Sequence, residues 1–182
     1  MKTISTIAVT LGALVLSVAL FVYSGRYDMG ADAPHWPVTH EVITTLRDRS
    51  IAAHSADLQP PNLRDSSLIL KGAGQYAAMC VDCHLAPGVT NSEIRPGLYP
   101  QPPNLAQVRI APKVAFWAIK HGIKMSAMPA WGASHDDATI WSIVAFLQKL
   151  PDLDAAQYKQ IVAAAPPDED MDKGKGDADH AR

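Results

Sequence analysis

Two cysteines and a histidine lie within one short segment, Cys80-Val81-Asp82-Cys83-His84. The chain contains no other cysteine, so any chemistry of these thiols involves both of them. Two thiols at this spacing can supply half of a zinc site or form a redox-active pair. They can also add to the two vinyl groups of a haem, with the histidine that follows placed under the iron as an axial ligand. A chance occurrence is the remaining possibility.

The rest of the chain discriminates between these chemistries. A zinc site needs further cysteines or a clustered pair of histidines, and no further cysteine is present. A thioredoxin-like pair usually follows a strand in a βαβ pattern, which this sequence lacks. We therefore predict one haem c, attached covalently through Cys80 and Cys83, with His84 as an iron ligand.

A second axial ligand must come from elsewhere in the chain. A methionine thioether would raise the reduction potential and close the iron to outside ligands. Met125 and Met128 are both downstream of the cysteines. Pro129 follows Met128 directly and opposes a helix there, so the chain can cross the haem as an extended loop. We expect Met128 to be the ligand, with Met125 as the alternative.

The N-terminal segment is a membrane anchor or an export signal. Every residue from Ile4 to Tyr23 is apolar, small or hydroxylic, and a helix of that length reaches about the thickness of a bilayer core. Lys2 precedes it, which by the positive-inside rule places the N-terminus in the cytoplasm and the rest of the chain outside. The competing interpretation is a signal peptide cleaved near Ser17-Val18-Ala19. Both interpretations export the haem domain to the periplasm. The anchor interpretation, which we expect, also holds it at the cytoplasmic membrane by a single transmembrane pass.

The charge balance argues against one class of partner. The 16 Lys and Arg residues nearly match the 18 Asp and Glu residues, so the chain has no overall basic field for nucleic-acid phosphates. We therefore expect no nucleic-acid binding. Of the 182 residues, roughly 100–130 remain for globular structure, which is enough for one domain.

The chain divides into four regions. Residues 1–25 are the anchor or signal, and residues 26–64 are a connector with an amphipathic helix from Thr39 to about Ala56. Residues 65–165 form the haem domain, and residues 166–182 an acidic tail too poor in large apolar residues to fold. Helical patterns mark three elements of the domain, with these expected limits: Ser66 or Ser67 as a cap to Cys80, Pro112 to Gly122, and Ser134, in a capping box with Asp137, to about Leu150. The predicted fold is therefore all-α, preceded by one transmembrane helix.

These features together resemble the class I c-type cytochromes, which have a Cys-x-x-Cys-His segment near the start of the domain, a downstream Met-Pro and a closing helix. The resemblance extends to packing positions. Gly72 and Tyr76 look like the glycine and the aromatic residue of the family's first helix, and Ile143 and Phe146 look like their counterparts on the last. It implies that these two helices cross closely, with the aromatic pair filling the joint.

Pro103-Asn104-Leu105 resembles the family's turn in which the proline carbonyl accepts a hydrogen bond from the ligating histidine. By that resemblance Pro103 orients His84 and raises its basicity. The layout of anchor, connector and single domain is also similar to bacterial membrane-bound cytochromes that serve dehydrogenases or terminal oxidases.

The expected function is therefore single-electron transfer, and the protein is not expected to be an enzyme. The expected partners are redox proteins: a dehydrogenase or quinol-oxidising complex as donor, and an oxidase or a soluble carrier as acceptor. One alternative is a cytochrome subunit of a membrane dehydrogenase or oxidase. A peroxidase or gas sensor is a third possibility, but it needs an open iron position, which Met128 would close.

A basic stretch precedes the methionine loop. It contains Arg109, Lys113, Lys120, His121 and Lys124. A basic rim near an exposed haem edge could attract an acidic redox partner. An ordinary solvated helix face explains the same residues equally well.

Overall fold

The computed structural model describes residues 2–167, so most of the predicted acidic tail, from residue 168 on, lies outside the described residues. Within that range the chain is helical and contains no strand, which confirms the predicted all-α class. The α-helices are α1 (Lys2–Tyr23), α2 (Pro37–Ser55), α3 (Ser66–Met79), α4 (Val81–His84), α5 (Pro112–His121), α6 (Asp137–Lys149) and α7 (Ala155–Ala163). Short 3-10 turns lie between α4 and α5 (Arg95–Gly97), between α5 and α6 (Trp131–Ala133) and between α6 and α7 (Leu150–Asp152).

Helix α1 is long and apolar enough to cross a membrane, with a mean hydropathy of 2.3 over its most apolar window. None of that window is buried by the rest of the chain. The hydroxyl groups of Thr6, Thr10 and Ser17 each donate to the backbone carbonyl four residues earlier, at 2.8–2.9 Å. Because lipid offers no hydrogen-bond partner, these internal bonds make the hydroxyls compatible with a bilayer.

The core of the domain is the crossing of α3 and α6. A Cβ atom placed on Gly72 would lie 1.9 Å from the backbone oxygen of Ser142, so only glycine lets the two backbones approach this closely. Beside this contact, the rings of Tyr76 and Phe146 pack with centroids 5.6 Å apart, and both side chains are fully buried. The helix crossing implied by the family resemblance is therefore present.

Two predicted helix caps were wrong. The caps are Asp65 and Asp136, each one residue before its helix, rather than Ser66 or Ser67 and Ser134. Each aspartate carboxylate accepts a hydrogen bond from a backbone N–H in the first turn, at 2.8 and 2.7 Å respectively. A carboxylate combines this hydrogen bond with a favourable interaction with the helix dipole, which a serine hydroxyl lacks.

The connector helix α2 is present and begins at Pro37, two residues before the predicted start. Its C-terminal end packs against α5, where Ile51 and Ser55 are buried and the Lys113 ammonium group donates to the Ala56 carbonyl at 2.8 Å. The N-terminal half does not share this packing, and its apolar residues are exposed: Val38, Val42, Ile43 and Leu46. The burial of α2 against the domain is thus concentrated at its C-terminal end.

Helix α7 was not predicted. Asp154 accepts hydrogen bonds from the N–H groups of Ala156 and Gln157, and the Gln157 side chain accepts one from the Asp154 N–H. This capping box starts the helix, which then packs against α3. The Asp-x-x-Gln spacing is visible in the sequence and could have indicated this helix start.

Candidate functional site

The two cysteines lie where α3 gives way to the single turn of α4. Cys80 ends α3, donating its N–H to the Tyr76 carbonyl at 2.9 Å, and Cys83 is on α4. Both are free thiols; Cys80 is buried and Cys83 partly exposed. Burial, and to a smaller extent the nearby Cys83, raise the pKa of Cys80 to about 12. The Cys80 thiol is therefore neutral near pH 7 when nothing is bound to it.

The imidazole of His84 is held by a proline carbonyl. Nδ1 of His84 lies 2.9 Å from the backbone oxygen of Pro103. A carbonyl only accepts, so Nδ1 carries the hydrogen and Nε2 keeps its lone pair. Burial lowers the pKa of His84, the hydrogen bond to Pro103 opposes this change, and the charge of Arg95 adds to it. A neutral imidazole with a free Nε2 is the form that binds a metal ion.

The last carbonyls of α4 are all used. A four-residue helix leaves its final backbone oxygens without partners inside the helix. Residues 92–105 supply the donors: the Ser92 hydroxyl for Asp82, a guanidinium nitrogen of Arg95 for Cys83 at 3.2 Å, and the Leu105 N–H for His84 at 3.0 Å. The segment that presents Pro103 to His84 is thereby fastened to the helix that carries His84.

The turn that follows His84 is anchored to the core. Leu85 has a positive φ of 63°, which is uncommon for a residue with a branched side chain, and it is almost fully buried. The Tyr76 hydroxyl donates to the Leu85 carbonyl at 2.5 Å. Burial raises the pKa of Tyr76, so its hydroxyl stays protonated and keeps donating. Sequence reasoning identified Tyr76 as a packing residue and missed this second role.

The two candidate methionines differ in their surroundings. Met128 is partly buried and packs against the apolar core, whereas Met125 is 81% exposed and has a positive φ of 57°. The loop between α5 and Met128 is closed on itself. The N–H of Ile123 donates to the Met128 carbonyl at 3.1 Å, and the N–H of Met128 donates to the Ser126 hydroxyl at 3.2 Å. The loop thus turns Met128 towards the domain and leaves Met125 in solvent.

A glycine permits this loop. Gly122 ends α5 with a φ of +65°, and a Cβ atom there would lie 2.8 Å from the Met128 carbonyl oxygen and 2.7 Å from the backbone of Pro129. Any side chain would clash with the returning chain and would be strained at this φ. The close approach of Met128 to the end of α5 therefore depends on Gly122.

The basic stretch does not form a continuous rim. Three of its side chains already have partners within the domain. Arg109 forms an ion pair with Asp152 at 2.7 Å and donates to the Gln148 carbonyl, and Lys113 donates to the Ala56 carbonyl. Lys120 forms an ion pair with Asp137 at 2.6 Å and lies over the Phe116 ring. His121 packs against the Trp117 ring. Lys124 is exposed and lies next to Met125 at the tip of the methionine loop. Any attraction of an acidic partner at this loop therefore rests mainly on Lys124.

The chemistry of this donor set fits a haem c. It comprises two free thiols, a neutral imidazole with an available Nε2, and a partly buried thioether, next to apolar side chains of α3, α5 and α6. In residues 2–167 no cluster of three or more His, Cys, Asp or Glu side chains is arranged to hold a bare metal ion. In that part of the chain, Cys80 and Cys83 therefore have no further side chains arranged with them to complete a zinc site.

One comparison with known proteins gave a match. Residues 67–147 match the model of the family described as cytochrome c oxidase, cbb3-type, subunit III. The matched segment runs from the first turn of α3 into α6, so it contains both cysteines, His84, Pro103 and Met128. No curated protein and no solved structure matched the chain.

Proposed function

We propose that this chain, whose residues 67–147 form a class I c-type cytochrome domain, is a membrane-anchored carrier of single electrons. The domain belongs to a haem-binding electron-transfer family, and the finer assignment rests on the residues around His84. When bound, the haem supplies an iron that changes its oxidation state by one electron. The thiols of Cys80 and Cys83 would hold one haem by thioether bonds.

The orientation of His84 carries the proposal. Its Nδ1–H is bound to the Pro103 carbonyl, so Nε2 is the nitrogen left to bind iron. Met128 would supply the opposite ligand because it packs against the domain, while Met125 is in solvent. If His84 and Met128 both bind the haem iron, no position would be left on it for a substrate. The role is electron transfer rather than catalysis.

The membrane anchor would be α1, with Lys2 on the cytoplasmic side and the haem domain in the periplasm. Aromatic contacts connect the end of α1 to the domain. The Phe21 and Trp36 rings have centroids 5.7 Å apart, and the His35 N–H donates to the Tyr99 hydroxyl at 3.2 Å. Tyrosine and tryptophan favour the membrane interface. These contacts would keep the haem domain close to the bilayer surface, within reach of membrane-bound redox proteins.

A second candidate is a cytochrome subunit of a membrane oxidase. The family match, to subunit III of cbb3-type oxidases, favours it. The exposed apolar residues of α2 would then contact another subunit. Both candidates use the same haem and ligands and differ in their stable partners. Purification from the native membrane in a mild detergent separates them: a carrier elutes alone, and a subunit elutes with oxidase activity and additional haem.

An optical experiment tests the ligands. The full-length protein, matured with haem attachment, is compared with the Met128→Ala and Met125→Ala variants in both oxidation states. The parent and Met125→Ala are expected to show the weak far-red band of methionine bound to ferric iron, and Met128→Ala to lose it. The parent is expected not to bind carbon monoxide. Carbon monoxide binding by a parent without this band would instead support a sensor or peroxidase.

A further inference from the structure

Arg95 makes one hydrogen bond to each of the two backbone segments that meet in the His84–Pro103 contact. Its nitrogen Nη1 donates to the Cys83 carbonyl at 3.2 Å and to the Pro102 carbonyl at 2.8 Å. Cys83 immediately precedes His84, and Pro102 immediately precedes Pro103. One guanidinium nitrogen thus joins the two backbone segments whose next residues form the 2.9 Å bond between Nδ1 and the proline oxygen.

The backbone of Arg95 makes further hydrogen bonds within its own loop. Its N–H donates to the Ser92 hydroxyl at 3.3 Å, and its carbonyl accepts from the Gln101 side-chain amide at 2.7 Å. It also opens the 3-10 turn Arg95–Gly97, in which Pro96 restricts the backbone. The backbone of Arg95 is therefore held in place by its own loop. Its planar guanidinium group is pre-organised, so less side-chain freedom is lost for each hydrogen bond that it forms.

We propose that Arg95 is a positioning residue that sets the geometry of the His84–Pro103 hydrogen bond. It acts through the backbone on each side of that bond and does not touch His84 by a hydrogen bond. The Cys83 carbonyl lies at the C-terminal end of α4, where a cation is also favoured by the helix dipole. The consequence for a haem rests on the proposed function: the plane and basicity of the His84 imidazole would depend on Arg95.

The test uses the full-length protein with haem attached and compares the Arg95→Lys and Arg95→Gln variants. Lysine keeps the charge but lacks the planar group with several donors, and glutamine removes the charge. Arg109→Gln is the matched control, because Arg109 also donates to a backbone carbonyl, that of Gln148, and makes no hydrogen bond to the segments that carry His84 and Pro103. Hydrogen exchange of the His84 Nδ1–H is followed by NMR, together with the far-red band and the reduction potential.

Both Arg95 variants are expected to exchange this proton roughly tenfold faster than the parent, because charge-assisted hydrogen bonds that restrain local opening are lost. Arg109→Gln is expected to keep the parental rate. A fall in potential confined to Arg95→Gln would report the lost charge separately from the geometry. Unchanged exchange in both Arg95 variants would overturn the proposal, and so would equal acceleration in Arg109→Gln, which would indicate a general loss of stability.

If the Arg95 variants do not mature, Gln101→Ala provides the second variant. It removes the hydrogen bond to the Arg95 carbonyl and leaves the guanidinium group in place. A smaller acceleration of the same proton is expected, and parental exchange would contradict the proposal. The proposed function fails differently: the parent itself would then lack the far-red band, whatever the Arg95 variants show.

Discussion

The hydroxyl of Tyr76 donates a 2.5 Å hydrogen bond to the backbone carbonyl of Leu85. The same side chain packs against Phe146 on α6. Tyr76 therefore contacts both the helix crossing that forms the core and the turn directly after His84. Stability of the core and placement of the candidate haem ligand are connected through this one residue.

Tyr76→Phe is expected to destabilise the protein by about 1–3 kcal/mol, because a buried carbonyl loses its donor while the ring packing stays. Denaturant unfolding of the haem-bound protein measures the loss. Tyr158→Phe is the control: Tyr158 is only partly buried, with its ring centroid 6.3 Å from that of Phe146. An equal loss in both variants would show that the hydrogen bond to Leu85 contributes no more to the free energy of unfolding than the Tyr158 hydroxyl does.

Gly72→Ala is expected to lower the free energy of unfolding by about 2–3 kcal/mol, since its Cβ would force α3 and α6 apart. Gly74→Ala on the same helix is the control. Its Cβ would lie 3.0 Å from the Ala165 Cβ atom and 3.5 Å from the Pro166 carbonyl oxygen, so a change of about 1 kcal/mol or less is expected. Thermal unfolding of both variants checks the difference, and similar midpoints would contradict the close backbone contact.

Lys124→Glu is expected to slow electron transfer from an acidic partner at low salt and to have little effect at high salt, where exposed charges are screened. Stopped-flow reduction at several ionic strengths gives this dependence. Parental rates at every salt concentration would exclude a role for Lys124 in partner attraction.

Lys120→Glu is expected to act on stability instead. It would replace the ion pair with Asp137 by a repulsion and remove the cation from the Phe116 ring. The expected loss is about 1 kcal/mol, the usual order for exposed ion pairs and cation–π contacts. Denaturant unfolding tests this, and an unchanged midpoint together with slowed electron transfer would place Lys120 in the partner surface.

The protein purified from membranes is expected to retain α1. Intact mass and N-terminal sequencing decide between an anchor and a signal peptide, because cleavage near Ala19 would remove most of the apolar helix. An uncleaved chain should stay with the membrane after an alkaline wash. Recovery of a shortened chain in the soluble periplasmic fraction would establish the signal-peptide interpretation.

Much of the fold was predictable because its signals are local. The apolar length of α1, the proline and glycine that bound α5, and the helical pattern leading to Cys80 all depend on residues close together in the chain. The wrong caps and the unpredicted α7 have the same local origin, and in each case an aspartate forms the cap. The carboxylates were visible in the sequence, but for α3 and α6 a nearby serine offered an alternative cap.

The sequence by itself determined which donors the candidate site contains, since two thiols and an imidazole this close in the chain must lie together. Only the tertiary structure decided which side chains support that unit. Arg95 reaches the Cys83 carbonyl, Tyr76 reaches the Leu85 carbonyl, and Met128 rather than Met125 packs against the core. Spacing along a chain fixes contacts within a helical turn, whereas partners across loops and helices depend on how the whole chain packs.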